Sequence, residues 1–143
     1  LSKNSRIIVV SHVGRPNGKK NSDLSMKPIC EYLEKKIKKK IKLISDDIFQ
    51  LKKKDLFKET FDGIICLENI RFYEKEEKND TSLAKQLASL ADLFVNDAFS
   101  CSHRAHTSLC KITEYLPSFA GLQLESEIKA LKKVTSEIIK PIT

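Results

Sequence analysis

Three of the four arginines and all three histidines of the chain fall in three short segments. Each segment directly follows an apolar run, at residues 7–10, 64–67 and 93–95. Arginine presents a planar set of donors that pairs with a carboxylate or phosphate through two hydrogen bonds, which a lysine ammonium cannot do. Each charge-assisted hydrogen bond contributes roughly 1.5–3 kcal/mol. Three converging arginines would therefore bind a small anion that carries several charges.

The three segments combine these cations with other polar side chains. They read Ser11-His12-Val13-Gly14-Arg15-Pro16, then Glu68-Asn69-Ile70-Arg71-Phe72, then Asn96-Asp97-Ala98-Phe99 followed by His103-Arg104-Ala105-His106. A nearby carboxylate such as Glu68 or Asp97 could instead neutralise any one of the arginines. The occurrence of an arginine in all three segments favours the anion site.

The sequence between the segments predicts the elements that position them. Apolar, β-branched runs predict strands, and apolar residues at helical spacing predict amphipathic helices. The predicted strands are residues 6–11, 42–45, 63–67 and 93–95, and the predicted helices are residues 26–41, 80–91, 107–116 and 122–138, with a short helix and loop within 48–61. Ser25 is the predicted N-cap of the first helix. This alternation predicts a three-layer α/β/α sandwich with a mostly parallel, Rossmann-like sheet. Ligands bind such sheets at the carboxyl ends of the strands, which is where the three segments lie.

The net charge of +7 raises the possibility of a nucleic-acid partner. Lysines cluster at residues 35–42 and 52–54. The first cluster lies on a predicted helix whose apolar residues recur at helical spacing, namely Ile29, Cys30, Leu33, Ile37 and Ile41. No aromatic residue alternates with the lysines to stack on bases. A solvated helix face is therefore the favoured interpretation, and no nucleic-acid partner is expected.

Other kinds of site receive less support. Cys101, His103, His106 and Cys110 have the side chains of a zinc site, but their spacing is more compressed than that of two separated ligand pairs. Ser11, His12 and Asp97 lack the turn motif of a hydrolase. With only four glycines, the chain shows no glycine-rich nucleotide loop. No signal peptide or membrane span is apparent, and unpaired cysteines indicate a reducing, cytoplasmic environment.

The three motifs resemble those of phosphoglycerate kinases, in the same order and at similar spacing. The likeness extends over essentially the whole chain, to Leu116-Pro117 and Ala120-Gly121 before the last helix. It implies a monomeric, two-lobed kinase that transfers a phosphoryl group between 1,3-bisphosphoglycerate and ADP. The residues that this likeness places at the phosphoglycerate site are His12, Gly14, Arg15, Arg71 and Arg104, with Asn69 and His103 as secondary candidates.

The resemblance also implies a division of the chain. Residues 1–120 would be part of the N-terminal phosphoglycerate-binding domain, 121–137 the interdomain helix, and 138–143 the start of a nucleotide-binding domain. The family's first strand and a further arginine are not in the chain, so the sheet is expected to be incomplete at its N-terminus. Mg²⁺ with ADP or ATP would bind the absent C-terminal domain. We therefore expect no certain catalytic residue, no metal ligand and no kinase activity in this chain alone.

Ser100 stands where the family more often has glycine. A non-enzymatic small-anion-binding α/β module is the alternative.

Overall fold

The computed structural model describes residues 5–57 and 62–136. Their strands are β1 (Ile7–Val9), β2 (Ile41–Ile44), β3 (Ile64–Leu67), β4 (Phe94–Asn96) and β5 (Ser118–Ala120). Their α-helices are α1 (Lys27–Ile37), α2 (Lys53–Leu56), α3 (Glu74–Glu77), α4 (Thr81–Ser89) and α5 (Leu122–Ser136). Short 3₁₀ turns occupy Ser22–Leu24, Ile48–Gln50, Ile70–Phe72, Phe99–Cys101 and Lys111–Glu114.

The described strands form two parallel sheets. In the first, β3 lies between β1 and β2, and Ile65 is in register with Ile8 of β1 and Lys42 of β2. In the second, β4 pairs with β5, and Val95 lies beside Phe119. The predicted α/β fold with parallel strands is confirmed. The division into two sheets was not predicted, because local apolar runs identify strands without specifying which strands pair.

The main core joins the first sheet to helix α4. Ile65 and Leu83 are both fully buried, the first from β3 and the second from α4. The β-branched residues of β3 suit a strand covered on both faces, which explains why this run was recognisable from sequence. The buried side chains of this core are Ile44, Ile48, Leu56, Phe57, Ile65, Leu67, Ile70, Leu83, Leu87, Leu90 and Ile112.

Helix α1 departs from its prediction at both ends. Met26 is the N-cap, and Ser25 lies one residue earlier, where its hydroxyl donates to the Glu68 carboxylate. At the other end, Lys38 adopts a left-handed conformation with φ of 53°, which stops the helix four residues before its predicted end at residue 41. The predicted apolar face is also only partly used, because Cys30 is buried whereas Ile29 and Leu33 are exposed.

The helix predicted at residues 107–116 is replaced by the 3₁₀ turn Lys111–Glu114. The amide of Thr107 donates to the Glu76 carbonyl at 2.9 Å, and the amide of Lys111 donates to Asn79 Oδ1 at 3.1 Å. These contacts tie the segment to helix α3 and the turn after it. Tertiary hydrogen bonds thus replace the regular pattern that an α-helix would need.

Helix α5 begins at Leu122 as predicted, and its predicted end at residue 138 lies outside the described residues. Within the described ranges, no helix combines the length and apolarity needed to cross a lipid bilayer.

Candidate anion-binding site

The loop after β1 carries Gly14, whose φ of +62° is in the left-handed region. A Cβ at this position would approach Leu24 Cδ2 to 2.8 Å, which is too close without a shift of that side chain. Both the conformation and the space therefore favour glycine. The carbonyl of Gly14 accepts a hydrogen bond from Arg71 Nη1 at 3.0 Å, so the loop after β1 is joined to the turn after β3.

Asn69 holds these two segments in place from within. Its side chain is fully buried, and its Nδ2 donates to the carbonyls of Val13 at 2.8 Å and Leu24 at 2.9 Å. Its Oδ1 accepts from the amide of Arg71 at 3.1 Å. The side-chain amide thus uses its donors and acceptor within the protein, so we assign Asn69 the role of positioning the loops.

Glu68 is not the counter-ion of Arg71. Its Oε1 accepts from the amides of Met26 at 2.7 Å and Asn69 at 2.9 Å, and its Oε2 accepts from the Ser25 hydroxyl at 2.8 Å. Burial raises the pKa of this carboxyl, but the two amides and the hydroxyl together lower that pKa below its usual value. Glu68 is therefore ionised, and its hydrogen bonds connect the end of β3 to the start of α1.

Arg71 is almost completely buried, with 4% of the residue exposed. Besides the bond from Nη1 to Gly14, its Nε lies 3.7 Å from Glu77 Oε1, which is too long for a hydrogen bond. Nε has no hydrogen-bond partner within the described part of the chain. Burying an unsatisfied charged donor is costly, so this geometry suits a guanidinium that binds a ligand.

The charges of Arg71 and Arg104 act on both His12 and His106. Burial lowers the pKa of His12, and the positive charges of Arg71 and Arg104 lower it further. The pKa of His106 is lowered by burial and then by Arg71, while Glu77 acts in the opposite direction. Both histidines are therefore neutral at pH 7, able to donate a hydrogen bond without adding charge.

Arg104 also contacts a predicted secondary candidate, because its Nε donates to His103 Nε2 at 3.4 Å. Arg15 is exposed in the loop after β1. Electrostatic interaction therefore links His12 to Arg71 and Arg104, His103 lies beside Arg104, and Arg15 is exposed.

Sequence reasoning did not place His106 or the carboxylates of helix α3 at the phosphoglycerate site. Glu76 is buried, and its two oxygens accept from the Ser108 hydroxyl at 2.6 Å and the Ser108 amide at 3.0 Å. Burial raises the pKa of Glu76 despite these donors. The acidic run three to six residues after Arg71 was the available signal, since one short helix can return such residues to the arginine.

Asp97 has a role in joining two elements. Its Oδ1 accepts from the amide of Leu124 at 2.9 Å, in the first turn of α5. The alternatives in which Asp97 neutralises Arg104 or completes a triad with His12 therefore gain no support. Ser100, within the turn Phe99–Cys101, does not have a positive φ, so its backbone does not require glycine.

Within residues 5–57 and 62–136, no group of three or more His, Cys, Asp or Glu side chains is arranged to hold a metal ion. The zinc alternative at Cys101, His103, His106 and Cys110 therefore lacks the required cluster.

A model of the phosphoglycerate kinase family matches residues 1–143. The chain belongs to this family. It is 50% identical over 139 residues to the phosphoglycerate kinase of Wolbachia pipientis subsp. Culex pipiens (strain wPip), covering 97% of this chain and 35% of the relative. It is 41% identical over 139 residues to that of Borrelia garinii subsp. bavariensis, again covering 97% of this chain and 35% of the relative.

Solved structures of phosphoglycerate kinases show the same fold. The enzyme from Coxiella burnetii superposes with a TM-score of 0.82 at 36% identity, over 96% of this chain and 34% of that one. The enzyme from Pyrococcus horikoshii OT3 gives 0.79 at 24% identity, over 96% and 35% respectively, and supports the fold alone. The Rossmann-like α/β class is thus confirmed, and the chain spans about a third of the length of these phosphoglycerate kinases.

Proposed function

We propose that this chain forms the phosphoglycerate-binding side of a kinase that transfers a phosphoryl group between 1,3-bisphosphoglycerate and ADP, giving 3-phosphoglycerate and ATP. The observation that carries this proposal is the buried guanidinium of Arg71, whose Nε is unpaired within the described residues. The charges of Arg71 and Arg104 both lower the pKa of His12, which supports a site that these three residues share. A phosphate or carboxylate of the substrate would supply the missing acceptor.

The chemistry requires charge neutralisation more than proton transfer. The acceptor group of 3-phosphoglycerate is a carboxylate, which is already ionised near neutral pH and needs no general base. Catalysis then depends on holding this nucleophile in line with the transferring phosphoryl group and on balancing the charge. Arg71 and Arg104 can balance charge, while His12 and His106 can donate hydrogen bonds. Gly14 and Asn69 keep the loops that carry His12 and Arg71 in place.

The remaining parts of the proposal follow from membership of the family. Residues 1–120 belong to the phosphoglycerate-binding domain, 121–137 to the interdomain segment, and 138–143 to the start of the nucleotide-binding domain, with residues 137–143 outside the described part of the chain. Mg²⁺ with ADP or ATP would bind that second domain, where the ion would balance the negative charge of the nucleotide phosphates. We infer a cytoplasmic, monomeric enzyme without nucleic-acid or membrane partners. The free thiols of Cys30, Cys66, Cys101 and Cys110 support the reducing compartment.

An NMR titration tests the binding proposal. Amide signals near Arg15, Arg71 and Arg104 should shift with saturation on addition of 3-phosphoglycerate, and inorganic phosphate should bind more weakly. Arg71→Ala should weaken phosphoglycerate binding by at least tenfold, because charge-assisted bonds of roughly 1.5–3 kcal/mol are lost.

Arg6→Ala is the matched control for this titration. Arg6 is the fourth arginine, and its guanidinium lies over the Phe57 ring, away from the three segments. It should bind phosphoglycerate as tightly as the unmodified chain. Equal affinity for phosphate and phosphoglycerate would instead favour the non-enzymatic anion-binding module. Unchanged phosphoglycerate binding by Arg71→Ala would contradict the proposed site.

A further inference from the structure

Glu77, the last residue of helix α3, faces the Arg71 guanidinium. Its Oε1 lies 3.7 Å from Arg71 Nε, and its side chain is 44% exposed whereas that of Arg71 is 5% exposed. This separation permits Coulomb attraction without a hydrogen bond. Among the hydrogen bonds of the described residues, none involves the Glu77 carboxylate. Glu77 therefore faces Arg71 while keeping all its acceptor capacity.

The other carboxylates near Arg71 already accept hydrogen bonds from donors of the protein. Glu68 accepts from Ser25, Met26 and Asn69, and Glu76 accepts twice from Ser108. These hydrogen bonds fix the two carboxylates within the fold. Glu77 differs from both because its contact with the site is electrostatic and its side chain is partly open to solvent.

The charge of Glu77 also reaches both histidines. Burial and the arginines lower the pKa of His12 and of His106, and Glu77 opposes this change at each of them. Glu77 further contributes to raising the pKa of Glu76, after burial. The charged and titratable groups that face Glu77 are therefore Arg71, His12, His106 and Glu76. An anion that bound among these groups would meet the Glu77 charge directly.

We propose that Glu77 is an internal counter-ion of Arg71, a carboxylate that an incoming anion must displace and that thereby sets the anion affinity of the site. The inference rests on the proposed function only in placing the anion at Arg71. Glu77 attracts the Arg71 guanidinium when the site is empty and repels a bound anion. A ligand with several contacts to the site overcomes this competition, whereas a small inorganic anion is held more weakly than the cationic groups alone would allow.

The test is the affinity of the 143-residue chain for inorganic phosphate, measured by NMR titration at low ionic strength. Glu77→Gln keeps the shape of the side chain and removes its charge. It should bind phosphate about two- to fivefold more tightly, the range expected for loss of a partly exposed ion pair of up to about 1 kcal/mol. The difference should shrink as salt is added, because ions screen exposed charges. Impaired folding would weaken binding, so an increase is not an effect of structural damage.

Two further variants sharpen the result. Glu74→Gln changes an exposed carboxylate of the same helix that pairs with Lys78, and it should leave phosphate affinity unchanged. Glu77→Asp keeps the charge and should remain closer to the unmodified chain than Glu77→Gln. Without any ligand, Glu77→Gln should also lower the pKa of His106, followed through its ring signals.

Equal or weaker phosphate binding by Glu77→Gln would overturn the inference, and so would the absence of phosphate binding to both chains. The proposed function fails on a different result, namely the lack of any preference for 3-phosphoglycerate over phosphate in the unmodified chain. The two failures can therefore be told apart.

Discussion

Cys66 illustrates how strongly a single side chain can be affected by its surroundings. The residue is 3% exposed at the centre of β3, in a small cluster with Met26 and Cys30. Burial raises the pKa of its thiol from 9.0 to about 12, and the neighbouring Cys30 thiol contributes in the same direction. Because the thiolate is the nucleophile, only about one molecule in ten thousand is reactive there at pH 8.

We therefore predict a clear order of alkylation by iodoacetamide at pH 8. The exposed Cys110 should react fastest, whereas Cys66 and Cys30 should react only when the chain unfolds. Peptide mapping by mass spectrometry over time measures each site separately. In urea all four cysteines should react at comparable rates, which serves as the control. Labelling of Cys66 as fast as that of Cys110 in the folded chain would contradict the buried cluster.

Individual residues predicted an anion site, which stays a prediction, but they did not predict the hydrogen-bond partners of Glu68 and Asp97. The presence of Arg71 and Arg104 after apolar runs indicated an anion. The same reasoning left Glu68 and Asp97 as alternative counter-ions of the arginines. In the structure, each carboxylate instead accepts a hydrogen bond from a backbone amide. Those amides lie 42 and 27 residues away in sequence, so only the folded chain specifies them. Glu77 was missed for a different reason: it lies only six residues after Arg71, but the short helix α3 is needed to bring its carboxylate near that guanidinium.

At the level of elements, the start of helix α4 depends on Asp80. Its Oδ1 accepts from the amide of Leu83 at 2.9 Å, which satisfies one of the free donors of the first turn. Hydrogen bonds from the Ser82 hydroxyl and from this amide lower the pKa of Asp80 from 3.8 to about 2. A carboxyl with a depressed pKa stabilises the folded state at pH values above its unfolded pKa, and this contribution is lost as pH falls toward 2.

This linkage predicts the behaviour of Asp80→Asn. Asparagine keeps a capping oxygen but does not titrate in this range. The variant should have a lower melting temperature than the unmodified chain at pH 7, and the difference should shrink between pH 4 and pH 2. The difference in melting temperature is measured from thermal unfolding curves recorded by circular dichroism.

Asp80→Ala is the comparison, because it removes the cap at every pH. It should be the least stable of the three chains near neutral pH. A constant difference in melting temperature between Asp80→Asn and the unmodified chain from pH 7 to pH 2 would argue against the depressed pKa.

Elements with strong local signals were predicted well. β3 has a continuous apolar, β-branched run, and α4 combines helical spacing with a capping aspartate. The segment 107–116 has apolar spacing too, but Thr107 and Lys111 donate their amides to residues around α3. The prediction of a helix was wrong there because tertiary hydrogen bonds outweighed a weak local preference. Likewise, no glycine or proline near Lys38 indicates in the sequence that α1 ends there.

For the molecule as a whole, the proposed division of labour makes a kinetic prediction. The 143-residue chain should form no ATP from ADP and 1,3-bisphosphoglycerate in the presence of Mg²⁺, since these residues span only about a third of the length of the related kinases. It should nevertheless bind 3-phosphoglycerate, as titration would show. A full-length phosphoglycerate kinase in the same coupled assay is the positive control. ATP formation by the chain alone would show that the division is wrong.

The global arrangement could be predicted only in part. Apolar strands alternating with helices predicted parallel pairing and the gathering of functional loops at the strands' carboxyl ends. Pairing order was beyond reach, because β1, β2 and β3 carry similar apolar runs and nothing local distinguishes the central strand from the edges. The structure places β3 at the centre, which brings Arg71 beside the loop that follows β1.

The close approach of Gly121 to Asp97 limits which substitutions the chain can accept at these two positions during evolution. A Cβ at position 121 would come within 2.4 Å of the Asp97 carboxylate, the group that accepts from Leu124 at the start of α5. An alanine there must displace the carboxylate, and a change at Asp97 alone leaves the helix start without its acceptor. Neither substitution is neutral by itself, so the two positions are expected to change together or not at all over evolutionary time.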